Sequence, residues 1–191
     1  MNKSRLEAFS DGVFAIVLTI MVLELHAPAS AEPSALLALA PALLSYALSF
    51  LYVGIYWTNH HHLFQLADRV NLRVLWANLH LLFWLSLLPF ATAWIAGHHR
   101  DMAPVAAYGL ILLMCSVSFL VLKLTLRASE SNHPEAARIL GQGRKNNTSI
   151  LLYALAILLS QWAPLIASAI YAALAIVWLL PTRTATAAPQ A

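Results

Sequence analysis

Charge is scarce in this chain: only 10% of its 191 residues are Asp, Glu, Lys or Arg, where a soluble domain carries about 25%. Cysteine is nearly absent. Cys115 alone allows no internal disulfide, and its apolar surroundings make it a small buried hydrophobe, not a nucleophile or metal ligand. There is no H-E-x-x-H pair, no Gly-rich phosphate loop and no Ser elbow, so no catalytic pattern marks an enzyme and none calls for a cofactor. The net charge of +3 is too small and too dispersed for a nucleic-acid partner. What is abundant is apolar surface, at 61% of residues. A water-soluble fold of this size leaves too much of its area exposed to hide that share. The solvent for most of this surface is therefore lipid.

A bilayer-spanning helix needs about 20 mostly apolar residues. Six stretches qualify, at roughly 6–25, 36–58, 74–97, 103–126, 147–163 and 165–181. Only Gln161-Trp162-Ala163-Pro164 separates the last two, which fit two short, tightly turned spans better than one re-entrant hairpin. Basic residues test the count. With Lys3 and Arg5 in the cytoplasm, the connection from His26 to Ser34 has no Lys or Arg. The next holds Arg69 and Arg73, and the third only Arg100. The fourth holds Lys123, Arg127, Arg138, Arg144 and Lys145, the fifth none, and the tail Arg183. Ten of the eleven basic residues, all but Arg100, fall on one side. The expectation is a multi-pass protein of the cell's inner (plasma) membrane with both termini cytoplasmic.

The expected fold is an all-α integral membrane protein, a single six-helix transmembrane domain over 1–182 with no tandem copy. A cytoplasmic loop at about 128–147 carries a short helix at 134–141 begun by Pro134, and residues 183–191 form a disordered tail. Lys3, Arg5, the apolar run and Ala29-Ser30-Ala31 imitate a cleavable leader, but Glu7, Asp11 and Glu24 interrupt a region that leaders keep free of acids.

The first helix is unusual. Arg5, Glu7, Ser10, Asp11 and Thr19 lie in or beside it, and a charge at membrane depth costs at least about 2.5 kcal/mol. Turning about 100° per residue, Ile16, Thr19, Ile20 and Leu23 share one sector, extended downward by Phe9 and Gly12. Asp11 lies nearly opposite Ile16. One face is thus an aliphatic stripe with a single hydroxyl, which spacing alone reads as packing or lipid contact. The other presents a carboxylate to neighbouring helices, with Arg5, Ser10 or a histidine as its expected partner.

Asn59-His60-His61-His62 imitates a metal site. Adjacent helical residues point about 100° apart, however, whereas ligand pairs recur at i, i+3 or i, i+4. A hydrogen-bonding cluster near the membrane interface, joined to Arg5, Ser10 and Asp11, is the better reading. Imidazole changes charge near neutrality, so His60 or His61 is the expected source of any pH sensitivity. Ser45, Ser49, Tyr52, Tyr56 and Asn59 recur at helical spacing and should face other helices. Asn78 and His80 on the third span are expected partners in the same network. His98-His99-Arg100-Asp101 reads as an external turn. The six tryptophans lie mainly near span ends, as an aromatic belt would.

Arg5-x-x-x-Phe9-Ser10-Asp11, continuing Gly12-Val13-Phe14-Ala15-Ile16, resembles the signature first helix of the transmembrane protein 175 family, the endosomal and lysosomal potassium channels and their bacterial homologues. Trp57-Thr58-Asn59-His60-His61-His62-Leu63-Phe64 resembles the end of that family's second helix, where an arginine is commoner at the place of His62. Leu87-Leu88-Pro89-Phe90-Ala91-Thr92 resembles the end of its third, where a second proline often replaces Ala91.

The resemblance implies a homotetramer with four first helices around a central potassium-permeable pore. Ile16 would form the tightest ring, Ile20 and Leu23 the next rings outward, and Thr19 a ring of hydroxyls. Rings of aliphatic side chains gate by dewetting. No TVGYG-like loop supplies carbonyl cages, so selectivity for potassium over sodium should be modest and come from dehydration at the narrow ring and from Thr19. The alternative is a proton-coupled secondary transporter relaying through Asp11 with His60, His61 or His80. Inverted repeats and broken mid-membrane helices, the usual marks of such carriers, are not evident.

Overall fold

Two prolines punctuate the helical order. Pro41 and Pro89 have no N–H to offer the preceding turn and their rings crowd it; in each case the helix breaks two residues earlier, at Leu39 and Leu87. The computed structural model describes residues 2–28, 30–67, 70–129 and 144–180, and their regular structure is entirely helical. In chain order the elements are α1 (Lys3–Leu23), α2 (Pro33–Ala38), α3 (Ala40–Gln65), α4 (Leu72–Ser86), α5 (Leu88–Gly97), α6 (Met102–Ser129), α7 (Arg144–Leu159) and α8 (Pro164–Leu179). Prolines also start α2 and α8, where the missing N–H would be unpaired anyway. The Asn2 and Asn71 side chains cap α1 and α4 by accepting from Ser4 N and Val74 N.

Among the described residues, four segments are long and apolar enough to cross a bilayer: Lys3–Leu23, Ala40–Gln65, Leu72–Gly97 (α4 and α5 together) and Met102–Ser129. α7 and α8 have 16 residues each. The outside of the bundle is apolar, with Leu44, Phe50, Phe83, Leu151 and Ile176 all exposed. Large apolar patches of this kind mark a surface that meets something other than water.

The expected span limits differ from the helices in instructive places. The second was drawn to end at residue 58, yet α3 continues to Gln65 because His60, Leu63 and Phe64 bury against the bundle. The third candidate is helical in two pieces, interrupted at Leu87 two residues before Pro89. α6 runs to Ser129 and α7 begins at Arg144, so both ends of the expected loop at 128–147 are helical. The rest of that loop with its expected helix at 134–141, the tail at 183–191, and Arg69, Arg138 and Arg183 lie outside the described residues.

α6 sits between α4 and α7 and also touches α5 and α8, while α1 packs across α3, α4 and α5. Leu112, Cys115 and Leu122 of α6 are fully buried. Cys115 therefore serves as the small hydrophobe the sequence suggested. Gly109 lets α8 approach α6: a Cβ there would strike Tyr171 Oη and meet Ile157 Cγ1 at 2.9 Å. Small residues at crossings let membrane helices close up in this way.

Hydroxyls stitch the same core. Thr92 Oγ1 donates to Ser49 Oγ at 2.7 Å, and Ser49 shares a hydrogen bond of 2.9 Å with Tyr108. Tyr153 Oη donates to Tyr52 Oη, and Tyr52 in turn donates to the Tyr171 carbonyl at 2.6 Å. With no water in the hydrocarbon, each such group needs a protein partner. Ser49 and Tyr52 of the polar stripe on α3 thus find partners on α5, α6, α7 and α8.

Candidate functional site

α1 buries Leu6, Ser10, Phe14, Val17 and Met21, a stripe stepping by three or four residues. Its other side is bare. Val17 and Met21 are 3% and 1% exposed, whereas Ile16 and Leu23 are 58% and 77% exposed. Phe9, Gly12, Thr19 and Ile20 are exposed with them. The stripe Ile16, Thr19, Ile20, Leu23 is thus unpartnered within one chain. Thr19 Oγ1 turns its proton inward, lying 3.1 Å from the Ala15 carbonyl and 2.9 Å from that of Ile16. Both lone pairs of the hydroxyl stay free to accept, as a cation requires. Beside the stripe, a groove of about 430 Å³ between α1 and α5 is lined by Val13, Ile16, Ile20, Glu24, Pro89 and Phe90.

The buried face is pinned by a chain of donors. His60 Nε2 lies 2.8 Å from Asn78 Oδ1, and Asn78 Nδ2 donates to Ser10 Oγ at 2.9 Å. Ser10 Oγ donates in turn to the Leu6 carbonyl at 2.9 Å. An amide oxygen can only accept, so His60 carries its proton on Nε2. Ser10, His60 and Asn78 are all essentially inaccessible, and the three residues tie α1, α3 and α4 together at one end of the bundle. Phe14 meets the His60 ring edge-on at 5.6 Å, closing the cluster with an aromatic contact.

Asp11 is held separately. Its carboxylate accepts from Trp57 Nε1 of α3 at 2.9 Å, where the sequence named Arg5, Ser10 or a histidine. Arg5 is six residues away, about 120° around the helix and about 9 Å along it, and Ser10 is committed to Leu6 and Asn78. His61 stacks on the Trp57 ring and accepts from Gln65 Nε2. His80 accepts from Trp84 Nε1 at 3.0 Å, and Asn59 donates to the Ile55 carbonyl of its own helix. Of the expected network, the structure brings together Ser10, His60 and Asn78. It disperses Arg5, Asp11, Asn59, His61 and His80.

Trp57 escaped the sequence reading because a tryptophan near a span end looks like belt. Thr92 and Tyr108 escaped it because a lone hydroxyl in an apolar run carries no periodicity.

A family model described as endosomal/lysosomal potassium channel TMEM175 matches residues 5–89, the stretch that holds α1 and its anchors on α3 and α4. A potassium channel of a Chryseobacterium species is 46% identical over 183 residues, covering 96% of this chain and 95% of that protein. The chain belongs to the TMEM175 family. The crystal structure of a lysosomal potassium-selective channel TMEM175 homolog from Chamaesiphon minutus shares the fold, with a TM-score of 0.79 at 30% identity over 93% of this chain and 96% of that one. The human endosomal/lysosomal proton channel TMEM175 is 40% identical over 76 residues, which are 34% of this chain and 15% of the human protein. The helical bundle described above is therefore a TMEM175 fold, that of a membrane protein.

Proposed function

We propose that this chain is the subunit of a potassium-permeable channel, a homotetramer in the cell's inner (plasma) membrane whose central pore is lined by α1. The observation that carries the reading is the bare stripe of α1. A helix that pins one face into its own bundle and leaves Ile16, Thr19, Ile20 and Leu23 uncovered needs another occupant for that side, and copies of α1 around a central axis, which the family resemblance implies, would fill it; the naming of relatives as potassium channels supports the reading. In it, Ile16 forms the tightest ring and a dewetting constriction, with Ile20 and Leu23 beyond it. Thr19 offers hydroxyl oxygens to a partly dehydrated ion.

The six-span reading fits this assembly. α1, α3, α4 with α5, α6, α7 and α8 each cross once in a single domain over 1–182, with both termini on the basic, cytoplasmic side. Transport needs no catalysis and no cofactor beyond the permeating ion. A carrier relaying protons through Asp11 and histidines finds no support in the contacts: Asp11 pairs with Trp57, His60 with Asn78 and His80 with Trp84.

The test is potassium flux from reconstituted liposomes, for wild type and Ile16→Ala. A faster flux in the variant, with sodium rising alongside, supports a pore narrowest at Ile16. A folded, oligomeric protein that passes potassium in neither form sinks the reading.

A further inference from the structure

A second groove, of about 580 Å³, opens on the outer surface between α3, α5 and α8, and no residue of α1 lines it. Its walls are mostly apolar, including Leu44, Leu48, Leu51, Leu165 and Ile176. From Pro41 to Leu51 it follows α3 for about 15 Å, at 1.5 Å per residue, which is half the roughly 30 Å of a bilayer's hydrocarbon core. Its one polar end is at the helix termini, where α5 ends at Gly97 and α8 begins at Pro164.

That end is chemically unfinished. Among the described residues, the buried side-chain polar atoms without a hydrogen-bond partner are His99 Nδ1 and Ser168 Oγ. Both residues line this groove, although they come from different elements. Leaving such atoms unpaired costs about 1–3 kcal/mol each, and hydrocarbon offers them nothing. Both can donate: the hydroxyl always, the imidazole when Nδ1 carries the proton. An acceptor attached to a long apolar body would complete both.

We infer that this groove is a binding site for a phospholipid of the leaflet opposite the chain's N-terminus. One acyl chain lies along α3 and α8, and an ester carbonyl accepts from Ser168 Oγ and His99 Nδ1. A diacyl phospholipid fits on three counts. Its ester oxygens sit at the boundary where α5 and α8 have their ends. Its chain length matches one leaflet. Its carbonyls accept without bringing a donor or charge into an apolar slot. The inference rests on the membrane-spanning reading but not on the identity of the permeating ion.

The test is native mass spectrometry of the full-length protein, extracted in mild detergent and supplied with palmitoyl-oleoyl phosphatidylglycerol. Wild type is expected to hold one phospholipid per chain. Ala172→Trp, which fills the groove from α8, should hold roughly tenfold less at equal lipid concentration. Ser168→Ala combined with His99→Ala only removes atoms, and it keeps the test decisive should the tryptophan disturb folding. It should bind more weakly than wild type while eluting as the same oligomer. A wild type that holds no lipid overturns the inference, as does equal retention in both variants. Potassium flux from the same preparations separates the two readings: flux without bound lipid removes the lipid site alone, and protein that stays in solution without detergent removes the membrane reading itself.

Discussion

The Trp57 indole nitrogen donates to the Asp11 carboxylate across 2.9 Å, joining the half-exposed rim of α3 to that of α1. The pair sits beside the donor chain of Ser10, Asn78 and His60 and shares no atom with it. Together they hold α1 at two angles about its axis, so that the stripe carrying Ile16 cannot rotate without breaking one of them.

Trp57→Phe keeps the ring and deletes the donor, leaving Asp11 without its hydrogen bond. A hydrogen bond to a charged group is worth about 1.5–3 kcal/mol. The variant should lose thermal stability by that order, read from the midpoint of the oligomer's loss in detergent on heating. Asp11→Asn retains an acceptor oxygen and should lose less. In a double-mutant cycle the two changes should be clearly non-additive; simple additivity would mean the contact contributes nothing.

Asn78→Leu is close in shape but leaves the His60 Nε2 proton and the Ser10 oxygen facing each other with nothing between. Each stranded group costs about 1–3 kcal/mol, so the variant should be less stable than His60→Phe, which removes a group at the end of the chain. The order of the two melting midpoints checks the direction of the donor chain.

Gly109→Ala drives a methyl into Tyr171. Folded, extractable protein should drop sharply, because the Tyr171 hydroxyl that must yield is itself held, donating to the Val105 carbonyl at 3.3 Å. Gly109→Ala with Tyr171→Ala should recover part of the yield, at the cost of a cavity. No recovery would place the clash elsewhere.

Thr19→Val removes the hydroxyl at nearly constant volume. Its donor bonds lie within α1, so stability should barely change, while discrimination between potassium and sodium should fall in liposome flux measurements. Thr19→Ser should preserve both. An unchanged ion ratio in the valine variant would take Thr19 out of the pore.

Much of this architecture was legible beforehand, for identifiable reasons. Helical spacing of Ser49, Tyr52 and Tyr56 marked the buried side of α3, because polar groups in lipid must find partners and so betray which face packs. That α1 has two sides was legible too, but not which of them packs: Asp11, expected to face neighbouring helices, is exposed, and Ser10 is the polar residue that is buried. What spacing cannot show is which residue on another helix completes a bond. Asn78 was named as a partner, but its place between Ser10 and His60 depends on how α4 crosses α1. Trp57 was assigned to a belt because its local sequence is the same whether or not an aspartate lies opposite. The continuation of α3 to Gln65 was missed because polarity after Thr58 resembles a membrane exit, while burial of His60 and Phe64 keeps the segment inside the bundle.

The breaks before Pro41 and Pro89 divide what would otherwise be single long helices into separately packed pieces. The piece beyond Leu87 is only ten residues long, and its first turn, at Pro89 and Phe90, borders the groove that Ile16 and Ile20 share. That short piece is itself held, with Thr92 donating to Ser49 of α3, so it backs the flank of α1 independently of α4, whose Asn78 anchors the other end. The donor chain at one end of α1 and the α5 segment at the other thus back the helix through two separately held pieces of the third expected span.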